Sequence, residues 1–258
     1  MWQRVSDMQL NERQTKIIQA IRNKPEQANN RLASEFNVSV QTIRSDLSKL
    51  ASAGLLERTH GGAVIQSGVK NIQYAQRQNL NRQVKNRIAQ KVSQLIPNDA
   101  SLFFNIGTTT EAAARALIHH KNLMVITNNL NVASILADHD SCELVITGGK
   151  FRQVDGGMIG DIAVDTVKKF KVDYAIIGTS ALDSSGALLD FDSQEVRVAQ
   201  TILEQARTSI LVVDGSKFKH SAPVRISNMR NIDFVITDYM PESLLHEVQD
   251  NNTQVFFV

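Results

Sequence analysis

The chain has 258 residues, 42% of them hydrophobic and 21% charged, with a single cysteine. That composition is ordinary for a globular protein and excludes an intrachain disulfide framework; no apolar run approaches the roughly 20 residues of a bilayer-spanning helix. The net charge of +2 conceals a split, because residues 1–98 hold 15 Lys or Arg against 6 Asp or Glu, and residues 99–258 hold 13 against 20. A basic N-terminal third suits a polyanion. A segment such as residues 63–98, with six cations and no acid, equally well faces water. Residues 1–7 lack the apolar stretch of a signal peptide, and with one cysteine the expected compartment is the cytoplasm.

Helices are expected over residues 11–23, with Asn11 as cap, Gln14 as capping-box partner and Ile17, Ile18 and Ile21 inward, and over 29–36. Asn37 and Val38 turn the chain into a third helix. Ser39 caps it, Ile43, Leu47 and Leu50 form its buried stripe, Gln41, Thr42, Arg44, Ser45 and Lys49 fall on its other faces, and Gly54 closes it. Residues 55–65 read as two short strands around a glycine turn, with Arg58, His60 and Gly61 at the tip. Three helices followed by a hairpin make a winged helix-turn-helix. Its third helix offers polar groups to base edges in a major groove, and the glycines of the wing let the backbone approach a phosphate or a minor groove. By itself the third helix has the pattern of any amphipathic surface helix.

Residues 66–78 read as a polar linker and 79–96 as a basic connecting helix with Val84, Ile88, Val92 and Leu95 inward. Beyond it, short β-rich runs (101–106, 124–127, 143–147, 173–177, 209–214, 234–237, 254–258) alternate with helical ones (109–118, 130–137, 161–170, 193–206, 241–249). The expected architecture is therefore a winged helix-turn-helix domain at 1–65, a connector at 66–98, and an α/β domain at 99–258 built on a mostly parallel, Rossmann-like sheet.

In a parallel sheet the segments after the strands share one edge, where ligands bind. Here they are Gly107-Thr108-Thr109-Thr110, Thr127-Asn128-Asn129, Gly148-Gly149-Lys150 with Arg152, Gly178-Thr179-Ser180 with Asp183, and Gly215-Ser216-Lys217. The first has the parts of an anion site at a helix N-terminus, and Lys217 and Arg152 could neutralise the same anion. Helix capping by threonine explains that turn alone just as well. Five polar loops on one edge point to a small phosphorylated or otherwise anionic ligand.

No catalytic set emerges. His119, His120 and His139 read as surface residues, Cys142 as a small buried hydrophobe, and Asp190 and Asp192, which flank Phe191, as solvated carboxylates. There is no His or Cys cluster with metal-ligand spacing, no P-loop and no nucleophile elbow. Neither catalytic residues nor a metal or cofactor is expected.

Residues 10–65, with Ser39, Thr42-Ile43-Arg44, Asp46-Leu47 and Arg58-Thr59-His60-Gly61-Gly62-Ala63, resemble the DeoR family of bacterial repressors. The second domain resembles that family's sensor, which is similar to ribose-5-phosphate isomerase, through Ile106-Gly107-Thr108-Thr109, Thr127-Asn128-Asn129, Gly148-Gly149, Arg152, Asp155-Gly156-Gly157, Gly160 and Asp214-Gly215-Ser216-Lys217-Phe218. The resemblance implies a homo-oligomer, dimer or tetramer, that binds double-stranded operator DNA and is released by a phosphorylated metabolite. Thr127 to Ala133, Asp155 to Gly160, Leu188 to Asp192 and Glu195-Val196-Arg197 look like the glycerol-phosphate branch, which implies glycerol 3-phosphate as inducer. The alternatives are another sugar phosphate or an isomerase-like enzyme fused to a DNA-binding domain. Two departures stand out. The family's second basic residue in the third helix is Ser45 here, and the isomerase's acidic run is reduced to the single acid of Gly178-Thr179-Ser180-Ala181-Leu182-Asp183, without its glycine-rich lysine loop. A binding fold without its general base reads as a sensor.

Overall fold

Asn11 and Gln14 close a reciprocal capping box, each side chain accepting the other's backbone N–H at 2.8 and 3.2 Å, and helix α1 (Glu12–Asn23) starts from it. In the computed structural model of the chain, residues 11–23, 27–52, 56–59, 61–64 and 74–258 are described. They fall into two units that divide after Lys70.

The first unit continues with strand β1 (Gln27–Ala28), helices α2 (Asn29–Glu35) and α3 (Val40–Ser52), and strands β2 (Glu57–Thr59) and β3 (Gly62–Val64). Asn37, in the left-handed region at φ +49°, makes the turn between α2 and α3. Ser39 Oγ accepts the Thr42 N–H at 3.1 Å, so Ser39 is the cap expected of it. Ile17, Ile21, Leu32, Ile43, Leu47 and Leu50 are fully buried together. Strand β1 was not legible in the sequence; it joins the wing as an outer strand in the order β1-β3-β2. The cap expected at Gly54 and the tip residue His60 lie outside the described residues.

Asp46 carries a tie across this unit. It is buried in α3, accepting Arg13 Nε at 2.7 Å and Gln14 Nε2 at 3.0 Å. Gln14 thus caps α1 and fixes α1 against α3.

The second unit opens on α4 (Tyr74–Asn79) and α5 (Arg82–Leu95). Residues 74–78, expected as linker, are helical, and the expected continuous helix over 79–96 is interrupted at Asn81, whose left-handed φ of +53° starts α5 afresh. Then come β4 (Ser101–Phe104), α6 (Thr108–Ala116), β5 (Leu123–Thr127), α7 (Leu130–Leu136), β6 (Cys142–Ile146), β7 (Lys150–Arg152), β8 (Gly157–Ile159), α8 (Asp161–Val167), β9 (Val172–Ile177), β10 (Ala181–Leu182), β11 (Ala187–Asp190), α9 (Ser193–Glu204), β12 (Ala206–Val212), β13 (Val224–Asn228), β14 (Phe234–Thr237), α10 (Glu242–Asp250) and β15 (Gln254–Phe257).

Seven of these strands form one parallel sheet in the order β15-β14-β12-β9-β4-β5-β6, in agreement with the mostly parallel α/β expectation. Side chains alternate between two cores, as a pleated strand buried on both faces requires. Phe103 packs with Val164, Val198 and Leu244 of α8, α9 and α10, and its neighbours Leu102 and Phe104 pack with Ile88, Ala113 and Val132 of α5, α6 and α7. From β4 the chain winds outward through β5 and β6; from β9 it winds the other way. The order reverses between β4 and β9, and the segments after those two strands diverge there to leave a crevice. The antiparallel hairpin β7–β8 and the small sheet β10-β11-β13 were not expected from the sequence. Among the described residues no helix is long and apolar enough to cross a membrane.

Candidate functional site

The switch point carries a cleft lined by Ile106, Gly107, Thr108 and Thr109 after β4, Gly178, Thr179 and Ser180 after β9, Lys217 after β12, and three charged residues from elsewhere, Arg77, Asp190 and Glu195. Its interior measures about 30 Å³, room for roughly two waters. A larger open groove of about 500 Å³ between α5 and β15 has only Arg87, Lys91, glutamines and the apolar end of β15 in its walls.

One end of the cleft brings together a helix N-terminus and two lysines. Gly107 precedes α6 and no side chain caps the helix, so the first turn offers its N–H groups. Thr108 Oγ1 accepts Lys85 Nζ at 2.9 Å. Burial brings Lys85 down to about 8, although Asp214 pulls the other way. Burial likewise lowers Lys217, again against Asp214. Asp214 is itself buried, yet stays below the usual carboxylate range because Lys217 lies beside it and Ser216 and Asn81 bond it.

The other end is acidic. Asp190 was expected to be solvated, but it is buried at the end of β11, where it bonds Ser180 and the Phe191 N–H. Glu195 is buried in the first turn of α9, and Asp192 caps that helix through the Gln194 N–H at 2.8 Å. Arg152 ties this corner: it grips Asp155 through two bonds of 2.9 and 2.8 Å, reaches Asp192 at 3.0 Å and contacts Glu195. Burial, then the charge of Asp190, push Glu195 up to about 8 against the pull of Arg152, and burial raises Asp190 as well.

The sign of the resulting pH dependence follows from proton counting. Above its ordinary value of 4.5 Glu195 is ionised in the unfolded chain but still protonated in the folded one until about pH 8. The unfolded chain then binds fewer protons, and stability falls as pH rises through that window. Glu195→Gln, neutral at every pH, is expected to flatten the decline of the α/β unit's melting temperature between about pH 5 and 8. An equally steep decline in the variant, by calorimetry, would mean that the charge is not stored there.

Of the expected ligand residues, Gly107, Thr108, Thr109 and Lys217 meet in this cleft. The others do not line it. Thr110 is fully buried, its hydroxyl on the carbonyls of Asn105 and Gly107. Thr127 bonds Phe104 O, and Asn128 holds β8 through Met158 O while its Oδ1 has no partner. Gly148 and Gly149 turn the chain toward β7 at φ +71° and +112°. Asp183 caps the β10–β11 turn through the N–H groups of Ser185 and Ala187. Arg152 is saturated by three carboxylates. Sequence reasoning missed Arg77, Glu195 and the burial of Asp190. The acid-free run at 63–98 was the signal for Arg77, and nothing local distinguished the acids from solvated ones.

On the first unit, Gln41, Arg44, Ser45 and Lys49 are exposed on α3, Ser39 is exposed at its start, and Thr42 is half-buried. Arg58 Nη1 bonds the Arg44 carbonyl at 2.9 Å and Ser48 Oγ at 3.2 Å, which braces the wing strand against α3. Gly61 is exposed in the wing turn at φ +97°. Among the described residues no three His, Cys, Asp or Glu side chains cluster to hold a metal ion.

Comparison with known proteins agrees with this division. Residues 13–69 match the DeoR-like helix-turn-helix domain and residues 80–239 the DeoR C terminal sensor domain. The chain is 41% identical over 243 residues to a glycerol-3-phosphate regulon repressor of Haemophilus influenzae, covering 94% of this chain and 95% of that one. It is 40% identical over 249 residues to a glycerol-3-phosphate regulon repressor of Escherichia coli, covering 96% and 99%. Among solved structures, a ribose 5-phosphate isomerase A from Methanocaldococcus jannaschii matches with a TM-score of 0.40 and 14% identity, over 54% of this chain and 55% of that one. The relatives at 40% identity are named as repressors, not as enzymes. With both models matched and these relatives aligned along nearly its full length, the chain belongs to the DeoR family of transcriptional repressors.

Proposed function

We propose that this repressor grips operator DNA through α3 and the β2–β3 wing and lets go when a small phosphorylated polyol, in the first instance glycerol 3-phosphate, enters the cleft at the start of α6. The observation that carries the reading is the polarity of the cleft. A helix N-terminus with Thr108, Thr109, Lys85 and Lys217 suits a phosphate. Asp190 and Glu195 at the other end suit hydroxyl groups, which both donate to and accept from a carboxyl group, ionised or protonated. The names of the relatives at 40–41% identity support the choice of glycerol 3-phosphate. Ser39, Gln41, Thr42, Arg44, Ser45 and Lys49 meet the DNA from α3, and Arg58, His60 and Gly61 from the wing. The protein acts in the cytoplasm as a dimer or tetramer on repeated or palindromic half-sites, about one helical turn apart or a multiple of it.

For release, the ligand must bind the DNA-free conformation more tightly than the DNA-bound one, and operator then weakens ligand binding by the same factor. The test is calorimetric titration of the full chain with glycerol 3-phosphate, glycerol and inorganic phosphate. Binding of the ester well above either fragment is expected. No heat with the ester, but binding of a pentose phosphate, would reassign the effector, and no binding of any phosphate ester would remove the site.

A further inference from the structure

Arg77 lines the cleft from neither a strand end nor the helix that follows one. It belongs to α4, the first described element after the wing, joined to it by residues 65–73. Its side chain is only 12% exposed, its ion pair with Asp155 Oδ2 is long at 3.5 Å, and its buried Nε has no hydrogen-bond partner. A buried donor left without an acceptor is costly and calls for an explanation, and an anion in the cleft that Arg77 lines supplies one.

The segment that carries Arg77 is docked on the same cleft. The Tyr74 hydroxyl sits 2.9 and 2.8 Å from the two carboxylate oxygens of Glu111, on α6. The Arg77 carbonyl accepts Lys85 Nζ, which also bonds Thr108. Asn81 Nδ2 donates to Asp214 at 2.7 Å, beside Lys217. Three ties thus run from residues 74–81 to elements that hold the anion end. With an interior of about 30 Å³, the cleft admits a phosphate ester only when a wall yields. Of the walls outside the seven-stranded sheet, the one next in the chain to the DNA-binding unit is α4, which brings Arg77.

We infer that Arg77 is a ligand-binding residue for the effector's phosphate, and that the phosphate, by drawing its guanidinium away from Asp155, repositions α4 and with it the covalent link to the DNA-binding unit. This rests on the reading of the cleft as a phosphate-ester site. It places the coupling in the connector: the residue that senses the anion is in the segment that leads to the DNA reader.

Two measurements on the full chain test it. In calorimetric titrations with glycerol 3-phosphate, Arg77→Gln is expected to bind about 10- to 100-fold more weakly than the wild type, the loss of one charge-assisted hydrogen bond, and Arg77→Lys is expected to fall between the two. In the unaltered protein, hydrogen exchange of the amides in residues 74–81 is expected to change when the ester saturates the site. Equal affinity in a folded Arg77→Gln, or exchange in 74–81 that ignores the ester, would overturn the inference while leaving the cleft reading intact. A wild type that binds no phosphate ester overturns both. Should Arg77→Gln fail to fold, the exchange measurement on the wild type decides by itself.

Discussion

Lys217→Met and Thr108→Val, each alone, are expected to give a repressor that still binds its operator and no longer releases it. Lys217 and Thr108 reach one cleft from opposite sides of the switch point, the turn after β12 and the start of α6. A phosphate in so narrow a space is held by charge-assisted hydrogen bonds, and removing one costs about 1.5–3 kcal/mol, or roughly a 10- to 150-fold rise in the effector concentration needed for release. Lys217 is expected to show the larger loss, because Met removes a full positive charge with its donors whereas Val removes one neutral hydroxyl. The readout is fluorescence anisotropy of labelled operator titrated with glycerol 3-phosphate, with thermal melting as the check that each variant is folded. Release at wild-type concentrations in both variants would discredit the anion end of the cleft.

On the first unit, Arg44→Ala is expected to weaken operator binding by about 1–3 kcal/mol, the value of a side chain that reads a base. Arg44 is exposed on α3, one turn past the Ser39 cap, and its carbonyl is braced by Arg58. At matched salt, an unchanged dissociation constant would take Arg44 out of the interface. The neighbouring Ser45 stands where the family usually has a second basic residue, so Ser45→Arg is expected to alter which sequences are selected from a random pool. A change in affinity that is equal for all sequences would instead mark position 45 as a phosphate contact.

Local periodicity carried much of this architecture in readable form. Ile43, Leu47 and Leu50 were visible as a helical stripe, Asn11 and Gln14 as a capping box, and the alternation of short apolar runs with helices as a parallel sheet whose strand ends share an edge. The remainder depends on contacts distant in sequence. Asp46 pairs with Arg13 from 33 positions away. Asp190 looked solvated because no local pattern reports that β11 pairs between β10 and β13 and buries its end. Arg152 looked like a phosphate ligand until its three carboxylate partners were seen to hold it. Arg77 lies 31 residues before Thr108, in a stretch that reads as linker, and only the fold carries it to the cleft. Charge in a sequence shows what is available to bind; pairing decides what remains to do so.

The central claim is a linkage between the cleft and the DNA, and one titration tests it most directly. The full-length protein is bound to a DNA duplex selected from a random pool, and glycerol 3-phosphate is added while anisotropy reports release; the affinity for the ester is then measured with and without saturating duplex. Release by the ester, with an affinity for it that is lowered by the duplex by the same factor as the ester lowers the affinity for duplex, is the predicted result. Binding of the ester with equal affinity in the presence and absence of DNA, and no release, would contradict it.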